Sequence, residues 1–267
     1  MRSRTAGTDR GVSEVVGFIL VFSLVVGTIS LVYVGGFSGL ESARDAERVN
    51  NAERAFDVMA NNFQQMARGD APNRATEIKL ADAQLTTSDQ RLVKVNASAT
   101  NDTVVEAESV VIRYDAPGDS RIVYENGAVI RVDDGNAVMK REPDFVFSDE
   151  NGRTAVVVRQ IELRGAGQGI GGTSSTVLVR AERKSTFVND SAATDDVEIV
   201  IHTHEDRAEA WVEYYEREIE SVGGGGDACE RRGTPTNGGP ETERVVCGPF
   251  DVDDLGGAKI TVDVTLT

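Results

Sequence analysis

The strongest constraint in this chain of 267 residues lies near its N-terminus. From Val15 to Leu40 no residue is charged. The core of the run, Val15–Val34, is 20 residues of mostly Val, Leu, Ile and Phe, about the length that crosses 30 Å of hydrocarbon as a helix. A secretory core is shorter, about 7–15 residues, and ends at a small-residue cleavage site. The run therefore reads as a retained single membrane span, and no second apolar stretch of comparable length follows. Arg2, Arg4 and Arg10 precede it, opposed by Asp9 and by Glu14 at its edge, and Glu41, Arg44, Asp45 and Glu47 follow. The excess of cations before the run sets the N-terminus in the cytoplasm and everything beyond residue 40 outside.

The remainder suffices for one ordinary domain with its own core. Asp and Glu number 44 against 28 Lys and Arg, a formal net charge of −16. Lysines are only Lys79, Lys94, Lys140, Lys184 and Lys259. No basic stripe exists to follow a phosphate backbone, which argues against nucleic acid as a partner. Acid spread along a lysine-poor chain favours a halophilic source, where a strong negative field keeps protein soluble. An acidic protein from any other source is the plainer alternative.

The residues ahead of the apolar run, Arg10-Gly11-Val12-Ser13-Glu14-Val15-Val16-Gly17, resemble the N-terminus of archaeal, in particular haloarchaeal, type IV pilin-like proteins. Archaellins share this leader type. In that family a prepilin peptidase removes a short basic leader before the apolar stretch, which stays as anchor and packs into a filament core. The resemblance implies a leader over residues 1–11, a cut between Gly11 and Val12, and a transmembrane helix over 12–40. Val12, Ser13 and Gly17 match the common Val-Ser-Pro-Val-Ile-Gly pattern, whereas Glu14 stands for its proline and Val16 for its isoleucine. Bacterial pilins carry a Glu at the fifth mature position that pairs with a neighbouring subunit's amine; Glu14 would be the third. It is therefore either an assembly residue or a carboxylate at the headgroup level, favoured there by the helix dipole. Segment 43–85, with Arg48-Val49-Asn50-Asn51-Ala52-Glu53-Arg54-Ala55-Phe56, also resembles haloarchaeal proteins of unassigned function.

Val49, Ala52, Phe56, Met59, Phe63 and Met66 recur at three- and four-residue steps, predicting an amphipathic helix over 41–68. Its stripe packs either on the protein's own domain or on neighbouring subunits. Gly35, Gly36 and Gly39 either kink the junction with the membrane helix or leave one continuous rod. From residue 75 the period becomes two, in short runs parted by turn signals such as Asn126-Gly127 and Asp134-Gly135. A late helix is expected around Trp211, at 206–221, then a Gly-rich loop at 222–247 and a C-terminal strand at 248–267. The expected class is α+β: a long N-terminal helix followed by a mostly antiparallel, β-sandwich-like domain at 75–221.

Few residues suggest chemistry. Cys229 and Cys247 are the only cysteines and pair as a disulfide if the domain is exported. His202 and His204 share a strand face but lack a third nearby ligand beyond Glu205 or Asp206, and read as exposed histidines at a strand end. Gly165–Gly172 lacks the lysine of a phosphate loop and reads as a flexible turn. Asn96, Asn101 and Asn189 head Asn-x-Ser/Thr sequons that exported loops offer for glycosylation. No catalytic motif, metal set or cofactor site is expected. The sequence thus reads as a membrane-anchored surface protein and a minor pilin-like subunit. Its partners are then lipid, prepilin peptidase and other pilin-like subunits. The alternative is an anchored binding module that never polymerises.

Overall fold

A computed structural model describes residues 9–97, 102–191, 194–226, 228–233 and 242–267. It divides into two compact units, Met1–Glu47 and Arg48–Thr267. The elements are α1 (Asp9–Arg68), β1 (Asn73–Lys79), β2 (Ala83–Ala97), β3 (Asp102–Asp115), β4 (Arg121–Glu125), β5 (Ala128–Asp133), β6 (Asn136–Arg141), β7 (Val146–Glu150), β8 (Arg153–Arg164), β9 (Gln168–Gly172), β10 (Thr176–Ser191), β11 (Thr194–His204), a 3-10 turn (Glu205–Arg207), α2 (Ala208–Ser221), β12 (Cys229–Arg231), β13 (Thr242–Val252) and β14 (Asp254–Leu266). The class is α+β, as the sequence predicts. The helical boundaries differ: α1 is a single helix of 60 residues, undivided at residue 40, that begins before Gly11.

In the second unit, the strands form a five-stranded sheet ordered β1-β10-β14-β8-β7 and a larger one ordered β12-β13-β11-β2-β3-β4-β5-β6, with β9 also beside β2. Among the described pairings only β14 with β8 is parallel. Three tight hairpins follow from Asn-Gly and Asp-Gly pairs. Asn126-Gly127, Asp134-Gly135 and Asn151-Gly152 all take positive φ at both positions, the geometry of a type I′ turn that suits strand twist. Where the two sheets meet, the Ser109 hydroxyl of β3 accepts from the Leu163 backbone N–H at 3.0 Å and donates to the Ile161 carbonyl at 3.4 Å. A side chain here serves a part of β8 that β7 leaves uncovered.

The stripe of α1 from Val49 to Met66 belongs to the domain's own core. Phe56, Met59, Phe63 and Met66 are all at most 1% exposed and pack with Tyr114, Tyr124, Val179 and Val262. The Phe63 ring meets Tyr124 edge-on at 5.1 Å between centroids. Polar flanks of the same stretch are held by arginines: Arg131 donates to Asn50 (3.1 Å), Arg141 to Gln64 (2.6 Å) and Arg74 to Gln65 (2.9 Å). The helix ends in a Schellman motif, with Gly69 N–H on the Met66 carbonyl and Asp70 N–H on the Gln65 carbonyl. Gly69 supplies the positive φ of 92° that this cap needs.

Two expected loops are corrected. Gly165–Gly172 is a clamped turn leading into β9, not a flexible one. The Thr87 hydroxyl donates to the Gly165 carbonyl at 2.6 Å, and the Gln168 side chain bridges the Val264 carbonyl and the Leu266 N–H at 2.9 and 2.8 Å. A Cβ on Gly165 would lie 2.2 Å from the Val264 oxygen, so the glycine is required for close approach and not for flexibility. Within 222–247, Cys229–Arg231 and Thr242–Cys247 are strand; these two stretches extend the larger sheet, and Val245, Val246 and Cys247 are buried.

Candidate functional site

The apolar part of α1 is the most unusual surface of the first unit. Val15, Phe18, Leu20, Leu24, Leu31 and Phe37 are all more than half exposed, Leu31 to 77%. None of the most apolar stretch of this helix is buried. Water would not tolerate so large a continuous apolar surface. The charge-free run Val15–Leu40 is about 39 Å long as a helix. It is the one helix among the described residues long and apolar enough to cross a membrane. Within it the Thr28 hydroxyl donates to the Val25 carbonyl at 2.9 Å, a local bond that suits hydrocarbon surroundings.

Glu14 stands at the start of this run, exposed, one and a half turns into α1. Gly11 and Val12 both lie within helix, so the expected junction between leader and mature chain falls inside α1 and not at its start.

The other predicted residues sit in the second unit and do not converge. Cys229 and Cys247 form a disulfide between the paired strands β12 and β13, closing a separation of 18 residues. His202 and His204 are half-buried, not exposed. Burial, followed by the charges of Arg244 and Arg91, pushes the His202 pKa below its ordinary value. His204 Nδ1 lies 2.7 Å from an Asp206 carboxylate oxygen. No group of three His, Cys, Asp or Glu among the described residues is placed to hold a metal ion.

The sequons fare differently from expectation. Asn96 is in β2, paired with β3 on one side and β11 on the other, so it is not in a loop. Asn101 lies outside the described residues. Asn189 is in β10, and its side-chain nitrogen, the atom a glycan would take, donates to the Val104 carbonyl at 3.2 Å.

One arrangement gave no sequence signal. Glu125, fully buried, accepts from Arg207 Nε and Nη2 at 2.8 and 2.6 Å and from Trp211 Nε1 at 3.2 Å. Arg207 and Arg121 also reach Asp206, at 3.2 and 2.9 Å. For Asp206, burial acts to raise the pKa. The His204 hydrogen bond and the charges of Arg207, His204 and Arg121 outweigh it and hold the carboxyl below its usual range. The network joins the start of α2 to β4 and is closed to solvent at Glu125. It positions α2, whose Trp211, Tyr214 and Tyr215 form a buried aromatic group with Phe145. A cleft of about 560 Å³ also opens beside β3 and β8, with Glu106, Glu108, Glu162 and Lys259 on its walls. Glu162 is already paired there with Arg164 at 2.8 Å and Lys259 at 3.3 Å.

One family model, described as a family of unknown function, matches residues 10–265. The chain belongs to the DUF7289 family. The DUF7289 match runs from Arg10 in α1 to Thr265 in β14, and so takes in the apolar helix and both sheets of this chain. No curated protein and no solved structure matches the chain.

Proposed function

We propose that this DUF7289 chain is a single-pass, membrane-anchored surface protein of the type IV pilin-like kind, acting as a minor or accessory subunit of a surface structure. The observation that carries the reading is the charge-free run Val15–Leu40 of α1, exposed along its described residues and preceded by Arg10-Gly11 three residues upstream. The Arg-rich N-terminal flank supports a cytoplasmic N-terminus and an exported domain, and the disulfide Cys229–Cys247 accords with an oxidising compartment. Acidic, lysine-poor composition supports a halophilic, archaeal source. No catalytic role is proposed. Mass spectrometry of the N-terminus of chain purified from membranes is the test. A chain that starts at Val12 is expected; one that still carries Arg2–Gly11 overturns peptidase processing.

A second reading is an anchored module that never polymerises. It is favoured by the burial of Val49–Met66 in the domain's own core, which removes that stripe from contacts between subunits. Sheared surface filaments separate the two readings: the pilin-like reading expects the chain among them, the second only in detergent-soluble monomers.

A further inference from the structure

Strand β10 outruns its neighbour. β1 covers only Thr176–Glu182, whereas β10 continues past a register shift between Arg183 and Ser185 to Ser191, with β14 beside it. Among the described residues the other edge of this half is unpaired. Lys184 to Val188 are all exposed. Phe187 and Val188 alternate between the two faces of the strand and remain 52% and 63% exposed. Among the described residues of the second unit they are the only adjacent large apolar side chains so exposed. A cleft of about 290 Å³ lies beside Phe187, walled by Val104, Val105 and Lys259.

An open strand edge bearing apolar side chains is a template for another strand. We propose that this edge pairs, antiparallel, with the same edge of a second copy of the chain, about a two-fold axis at Phe187. That register sets Phe187 opposite its own copy, Thr186 opposite Val188 and Ser185 opposite Asn189. At each end it sets Lys184 against position 190, an aspartate in the sequence. Aromatic, β-branched and opposite-charge pairs are the favourable cross-strand combinations. The occupant follows from charge. At −16 per copy, like-charge repulsion opposes association of two copies over most of their surfaces. Arg183–Asn189 carries no acid, so two copies can approach here. The contact is isologous and closes on itself, joining two five-stranded sheets and stopping at a dimer.

The test uses the full chain in detergent micelles. Phe187→Cys leaves the native cysteines in their disulfide. Mild oxidation is expected to convert it to a covalent dimer, since directly opposed residues have Cβ atoms about 4.5–5.5 Å apart, within a small strand movement of the roughly 3.5–4.5 Å a disulfide spans. Val138→Cys, on β6 and 55% exposed, is the control and stays monomeric. Lys184→Glu and Asp190→Lys are each expected to lower the dimer fraction several-fold in sedimentation, and to restore it when equal amounts of the two variants are mixed or when both changes are combined. The proposal is overturned if Phe187→Cys dimerises no more than the control. It is equally overturned if the charge reversals have no effect, or if the oxidised adduct from cells contains a different protein. None of these readouts depends on the mature N-terminus, so the dimer and the pilin-like reading fail separately.

Discussion

Replacing Phe63 with alanine tests whether α1 beyond Arg48 is a core helix of the domain. Phe63 is 1% exposed and stacks edge-on against Tyr124. Its ring is walled by residues of both sheets, which cannot collapse freely into the space left behind. A buried Phe→Ala change costs about 3–5 kcal/mol from lost transfer energy and the residual cavity. The lost ring pair, about 0.5–1.5 kcal/mol, is contained in that range, so a loss of about 4 kcal/mol is expected. That is a large share of the roughly 5–15 kcal/mol typical of a folded domain. Urea unfolding at fixed salt, followed by the fluorescence of Trp211, gives the readout. Trp211 is the only tryptophan and sits fully buried in the other core cluster, so a shift seen there reports the whole domain unfolding as one unit. With a urea slope of about 2 kcal/mol/M the midpoint falls by about 2 M. Val58→Ala, on the same helix but 54% exposed, is expected to change stability by no more than about 0.5 kcal/mol. A Phe63→Ala midpoint as close to wild type as that of Val58→Ala, at unchanged slope, would refute the core assignment and return the stripe to contacts between subunits.

Cys229→Ser with Cys247→Ser removes the link between β12 and β13; the chain-entropy estimate for this loop is about 3 kcal/mol, and a lowered thermal midpoint in the variant, matched by reduced wild type, checks it. Arg207→Met leaves the Glu125 carboxylate buried without its cation and is expected to cost about 3–5 kcal/mol, whereas Glu125→Leu combined with Arg207→Met costs much less; urea midpoints of the single and double variants decide. Asp206 has a folded pKa below its unfolded value, so it contributes stability that is fully present above the ordinary Asp range, near pH 4, and is lost as pH falls through the folded value. Asp206→Asn therefore flattens the acid limb of a stability–pH curve below about pH 4, and an unchanged limb would show that its contacts with Arg121 and Arg207 carry no net energy.

What was legible in the sequence followed periodicity and turn chemistry. The three- and four-residue spacing of Val49 to Met66 predicted the helix and its buried face, because a helix stripe must be covered by something. Asn126-Gly127 and Asp134-Gly135 read as turns, the first as a hairpin, because positive φ at successive positions leaves few residues to choose from. The errors came from reading glycine only as freedom. Gly165 is required because Val264 passes close by, and nothing near it in the sequence records β14. Likewise, the glycines around Val245 to Cys247 point to a loop, although the apolar run itself is what a buried strand needs. The Glu125–Arg207–Trp211 network was not legible at all. Its members are 82 and 86 residues apart, and in a chain with 44 acids one more Glu carries no mark of burial.

The change of character within α1 is itself informative. From Val15 to Leu40 the helix carries no charge and its described residues are all exposed; from Arg48 it has one buried face and polar flanks held by arginines. A helix exposed and apolar on every side has lipid or other helices as its solvent, whereas one with a single stripe has a protein core. Each stretch thus specifies its own surroundings from composition alone. The stripe is already filled by the domain, so an assembly of this protein through an apolar face of α1 uses the stretch Val15–Leu40, which Glu14 borders at its N-terminal end and Glu41 at the other. A carboxylate at that border costs least where it meets headgroups or a neighbour's cation, and most if drawn inward, where a charge at the bilayer centre costs about 2.5–3.5 kcal/mol. Glu14→Gln therefore separates the two: loss of the chain from sheared filaments with unchanged membrane insertion assigns Glu14 to assembly, and no change in either assigns it to the headgroup layer.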